Sequence, residues 1–93
     1  MQLEDSRLLL RAGLDASNIL HAAVNSIRPR LSEAEAKTLA LRVGHVLAEI
    51  GERVFDPEFA AYPELQPGDS LEGWRRMAAS VGAADWSTWP DNR

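Results

Sequence analysis

Between residues 31 and 55 the chain carries an apolar surface too wide for a helix lying on the outside of a protein. Setting successive side chains about 100° apart puts Ala36, Leu39, Ala40, Val43, Gly44, Val46, Leu47, Ile50, Gly51, Val54 and Phe55 on one continuous surface, which Leu41 and Ala48 widen. Thr38, Arg42, His45, Glu49, Glu52 and Arg53 keep a polar arc of only about 100°, where an ordinary surface helix has an apolar stripe of roughly that width. A helix of this kind needs neighbours on more than one side. Ser32 followed by Glu35 forms a capping box at its start, with Leu31 and Ala36 placed as a hydrophobic staple. Asp56-Pro57 marks its end, because proline drives the preceding residue out of helical geometry and is well suited to the first position of a new, short helix. Gly44 then falls inside one continuous helix, in a row with Ala36, Ala40 and Ala48 whose small side chains let a neighbouring backbone approach closely.

A second wide-faced helix is predicted over 3–27. Leu9, Ala12, Ala16, Ile19, Leu20, Ala23 and Ile27 form one seam, and Leu3, Leu10, Leu14 and Val24 a second. Gly13 costs about 1 kcal/mol relative to alanine in a helix interior, yet the periodicity continues across it and favours an unbroken helix. The short connection through Arg28, Pro29 and Arg30 has the length that joins antiparallel neighbours. Residues 56–62 make barely two turns, and 63–69 read as a loop marked by proline and glycine. Asp69 with Glu72 then opens a further helix, with Leu71, Trp74, Met77, Ala78 and Val81 as its stripe and Gly82 as its stop. The predicted architecture is all-α: a long antiparallel helical hairpin, a short connecting helix and a third main helix packed across it. It forms a single domain, 1–93, whose tail at 83–93 docks on the fold or on a partner.

A chain of 93 residues buries only about 60 to 65% of the surface its unfolded form exposes, so each long apolar residue counts. The absence of cysteine excludes disulfides, thiolate metal sites and a cysteine nucleophile. No apolar run approaches the roughly 18 residues of a membrane span, and 1–7 carry two acids rather than the basic flank of a signal peptide. A cytoplasmic protein with no membrane contact is expected. The net charge of −4 works against attraction to phosphate backbones.

Chemistry is sparse. Across the hairpin His21 and His45 fall about 9 Å out of register along the axis, too far to share a metal ion whose donors lie near 2 Å. Glu33, Glu35, Glu49 and Glu52 sit on a solvated face, without the burial that tunes a catalytic acid. Neither a phosphate loop nor a nucleophile elbow is present. Enzyme is the least favoured class, and no catalytic residue, metal or cofactor is expected.

Leu39, Ala40, Val43, Gly44 and Ile50 resemble the spacing of a helix-turn-helix DNA-binding motif. The resemblance implies a nucleic-acid-binding regulator with its turn at Gly44, a degenerate motif around Ala40, Gly44 and Ile50. His45 and Arg53 stand where the family places apolar residues, and the unbroken apolar surface favours one long helix. The preferred reading is a small acidic protein-binding module, such as an inhibitor, an adaptor or a homo-oligomeric subunit. It acts through an apolar helical surface and C-terminal tryptophans, residues of the type enriched at interface hot spots. Both long helices carry more apolar arc than their mutual contact uses, so unburied surface is expected along Leu3, Leu10 and Leu14 or along Leu41, Ala48 and Phe55. The partner-binding residues expected are Leu10, Leu14, Leu41, Phe55, Trp86 and Trp89, with a protein as partner and a second copy of the chain as the simplest case.

Overall fold

A computed structural model describes residues 1–85. Residues 86–93, and with them Trp86 and Trp89, lie outside the described residues. The chain folds into α1 (Leu3–Ile27), a 3-10 turn (Arg28–Arg30), α2 (Glu33–Ile50), a π turn (Gly51–Phe55), α3 (Asp56–Ala61), a second 3-10 turn (Pro63–Leu65) and α4 (Leu71–Val81). Among the described residues there is no strand. The fold is the all-α bundle expected, with a hairpin reversed at Arg28–Arg30 and a shorter helix laid against one end of it.

Local signals explain most helix ends. The Ser32 hydroxyl accepts the Glu35 backbone N–H at 3.1 Å, and the Glu35 carboxylate accepts the Ser32 N–H at 3.1 Å, which closes the capping box. At α4 the cap is Ser70, whose hydroxyl accepts the Gly73 N–H at 3.0 Å; Asp69, the residue expected there, lies one position too early. The helix ends at Gly82, whose φ of +80° suits glycine, and the Ala83 N–H donates back to the Ala78 carbonyl at 3.0 Å in a Schellman-type stop. α1 runs unbroken through Gly13.

The expected break at Asp56-Pro57 does not occur. Asp56 has helical dihedrals, φ −58° and ψ −43°, and its N–H donates to the carbonyl of Gly51. The backbone therefore continues as one helical rod from α2 through the π turn into α3. Proline lacks an N–H and its ring collides with the carbonyl four residues back in a regular α-helix, here that of Arg53. Opening the turn directly before Pro57 to a five-residue spacing gives that carbonyl room. A π turn adds one residue to the repeat, so every side chain beyond it is rotated by about 100° from where an uninterrupted α-helix would place it. Phe55 and Phe59 are thereby swung off the Ala48 flank into line with Ile50 and Val54.

That rotation builds the core. Leu10, Leu14, Phe55, Phe59, Leu65, Met77 and Val81 are buried together, with Ile50, Val54, Tyr62 and Trp74 packed at their edge. Phe55, Phe59 and Trp74 form a triangle with ring centroids 5.9 to 6.1 Å apart, the spacing of favourable edge and offset contacts. Two glycines are closely packed: a Cβ at Gly13 would stand 2.6 Å from Phe55 Cε1, and one at Gly73 would stand 1.9 Å from the Pro67 carbonyl oxygen. Below the core the buried Ser6 hydroxyl donates to the buried Glu58 carboxylate at 2.6 Å, which satisfies a carboxyl group that would otherwise be costly to bury. Arg7 donates to the Ser80 carbonyl, and Tyr62 donates to the Met1 carbonyl at 2.7 Å. Leu71, expected in the buried stripe of α4, instead points outward at its first turn.

α4, with 11 residues, is about 16 Å long at 1.5 Å per residue, in a molecule measuring 45 × 25 × 21 Å. It covers only the end of the hairpin that holds the aromatic triangle. Among the described residues, α2 contributes none to the buried set.

Candidate functional site

The two seams of α1 have separate fates. Leu10, Leu14 and Val24 of the second seam are buried and Leu3, at its start, is exposed; Leu10 and Leu14 lie in the core against the aromatic triangle. The first seam is left outside. Leu9, Ala12, Ala16, Ile19 and Ile27 are exposed and Leu20 and Ala23 are half-buried, with Ile19 at 45% exposure. Leu8, at 61%, extends the strip, lying one turn before Ala12 on the same side of the helix as Ile19. From Leu8 to Ile27 this strip carries no charged side chain. From Leu9 to Ile27 its apolar positions recur in steps of three or four, the spacing with which one helix seats another.

α2 continues the same face. Ile27, Leu31, Ala34, Glu35, Thr38, Leu39 and Arg42 line one open cavity of about 450 Å³ at the tip of the hairpin, so the end of the α1 seam and the Leu39 side of α2 border a common hollow. Val46, two turns beyond Leu39, falls on the same strip of α2 and is 49% exposed. Charge marks the two ends. Glu4 and Asp5 occupy the first turn of α1, and Arg28 and Arg30 the turn that follows it; all four are exposed.

The partner-binding residues expected from sequence divide accordingly. Leu10, Leu14 and Phe55 lie in the core and offer no surface to a partner, because α4 and the rotated aromatic residues cover them. Leu41 is exposed at 58%, and Ala40, Gly44 and Ala48 beside it are exposed as well, on the flank of α2 away from Leu39. Gly44 lies within continuous helix, so no helix-turn-helix is formed there. It does not serve close packing either, since a Cβ at Gly44 would meet nothing within 4 Å. Trp86 and Trp89 fall outside the described residues. Periodicity marks both seams of α1 equally and carries no signal for which of the two α4 covers.

A second hollow, about 700 Å³, lies beside the π turn, with Phe55, Phe59, Pro67 and Trp74 as its apolar lining and Glu52, Asp56 and Asp69 at its rim. Apolar floor and anionic edge together suit a long basic side chain. Elsewhere polar chemistry is scattered. Glu33, Glu35, Glu49 and Glu52 are exposed, as are His21 and His45, and the described residues contain no cluster of three or more side chains able to hold a metal ion. Glu49 pairs with Arg53, and Glu72 with Arg76 at 3.6 Å, both as solvent-exposed pairs within one helix. Among the described residues no helix is long and apolar enough to cross a membrane. Neither a protein-family model, nor a curated protein, nor a solved structure matches this chain.

Proposed function

We propose that the protein is a small protein-binding module and that the open face of its helical hairpin, the exposed seam of α1 with the Leu39 and Val46 strip of α2, is the binding surface. The observation that carries this reading is the uncharged and largely exposed strip from Leu8 to Ile27 on the longest helix, beside an α2 that, among the described residues, adds nothing to the buried set. Exposed apolar surface that is large and contiguous marks interaction sites, and a row of anchors at three- and four-residue steps is how one helix reads another. The small side chains of Ala12, Ala16 and Ala23 allow a partner helix to approach at the short end of the usual 8 to 10 Å range. A net charge of −4 disfavours nucleic acid as the occupant.

Site-specific photocrosslinking in cells that express the protein naturally tests the reading. A photoreactive residue at position 19 should give a discrete protein adduct, with the same residue at Glu64, on the exposed turn at the opposite end of the molecule, giving none. No adduct at position 19, or equal labelling at both positions, overturns it.

A further inference from the structure

We infer that the occupant of this face is a second copy of the same chain, docked antiparallel along α1 so that two hairpins close into a four-helix arrangement. The inference rests on the binding-face reading above and adds the partner's identity and orientation. Its basis is the distribution of charge and size along the seam. Glu4 and Asp5 stand at the first turn of α1, and Arg28 and Arg30 at the turn that follows it. Laid parallel, two copies bring acid against acid and arginine against arginine. Reversed about a two-fold axis near Ser17 and Asn18, the same seams bring Asp5 opposite Arg30 twice, once at each end. Under that reversal Ala12 meets Ala23 and Ala16 meets Ile19, so small side chains face small or large ones and no two bulky ones collide in the middle. Leu8 then lies opposite Ile27. The surface is its own complement in both shape and charge, as a two-fold interface must be.

The fold supplies a second reason. α4 covers one end of the hairpin, but the 45 Å long axis leaves the other end a two-helix arm, and a pair of helices buries too little apolar surface to be satisfied alone. A second arm laid across the first provides the missing layer for both.

Sedimentation equilibrium at high micromolar concentration should show a particle of twice the 10.3 kDa chain mass. Ile19→Glu, at an exposed position, should give a folded monomer with unchanged far-ultraviolet circular dichroism. Asp5→Arg and Arg30→Glu should each weaken the dimer by roughly three- to tenfold at low salt, and the double swap should restore it, because each swapped residue again meets an opposite charge. Orientation is read with cysteines, which the natural chain lacks. Oxidising a mixture of Ala12→Cys and Ala23→Cys chains should yield the mixed disulfide, since only close Cβ atoms can be bridged. Disulfide formation by Ala12→Cys alone overturns the antiparallel arrangement. A wild type that stays monomeric while position 19 crosslinks to a different protein overturns self-association and leaves the binding face standing. A monomer with no crosslink overturns both.

Discussion

At one end of the hairpin Phe55 is buried beneath α4 and wedged against Gly13; at the other, Leu41 on the same rod is 58% exposed and Gly44 beside it faces open space. Composition does not separate the two ends, for both are built from apolar residues at helical spacing. What separates them is the number of layers. The closed end has three elements, α1, the π turn with α3, and α4, whose side chains meet in one cluster. The arm has two. Apolar patterning therefore states how much surface wants burial, while the length of the covering helix decides how much is buried within the chain.

The comparison is broken most directly by truncating one side chain at each end. Phe55→Ala removes a ring that touches Phe59, Trp74 and Gly13 and should cost about 3 to 5 kcal/mol in urea unfolding. Leu41→Ala should change stability by no more than about 0.5 kcal/mol, as surface substitutions do. Equal losses at the two positions would mean that the arm is covered as well as the closed end.

The two glycines sharpen the contrast. Gly13→Ala places a methyl 2.6 Å from Phe55 Cε1 and should destabilise by about 1 to 3 kcal/mol through overpacking. Gly44→Ala meets nothing within 4 Å and should stabilise by about 1 kcal/mol through helix propensity. Thermal midpoints should thus move in opposite directions for the same chemical change, and a loss at Gly44 would place an unseen neighbour there.

The smallest effect belongs to the start of α2. The Ser32 backbone N–H, with help from the Ser32 hydroxyl, holds the Glu35 carboxyl below its ordinary pKa. Because the folded state lowers this pKa, the stabilisation is present above the unfolded value and disappears as pH falls through the folded one. The thermal midpoints of wild type and Glu35→Gln should differ slightly near neutrality and converge in acid below the usual glutamate range. A gap that widened on acidification would contradict this origin.

Much of this was legible in the residues. Ser32 with Glu35, the reversal at Pro29 and the stop at Gly82 each act within a few residues, so their meaning does not depend on the rest of the fold. The excess of apolar arc over what a hairpin needs was legible too. Its location was not. Extrapolating the helical repeat past residue 50 puts Phe55 on the Ala48 and Leu41 flank, and the single residue added by the π turn moves it into the core. With Phe55 and Phe59 turned inward, Leu10 and Leu14 become the natural cover for them, and the Leu9 to Ile27 seam is the one left over. Asp69 against Ser70 is a smaller instance of the same difficulty, since two adjacent good caps differ only in where the preceding loop delivers the chain.

The π turn also makes the rod from Glu33 to Ala61 two independently aimed segments joined by a rotary coupling. Which faces the arm shows to its surroundings is set on one side of that joint, and which faces the closed end hides is set on the other. Removing one residue within 51–55 would index the arm by about 100° relative to the end that anchors it, and would return the Pro57 ring to collision with the carbonyl four residues back. The aim of the exposed surface is thus tied to the same inserted residue that accommodates Pro57, so neither can be changed without the other.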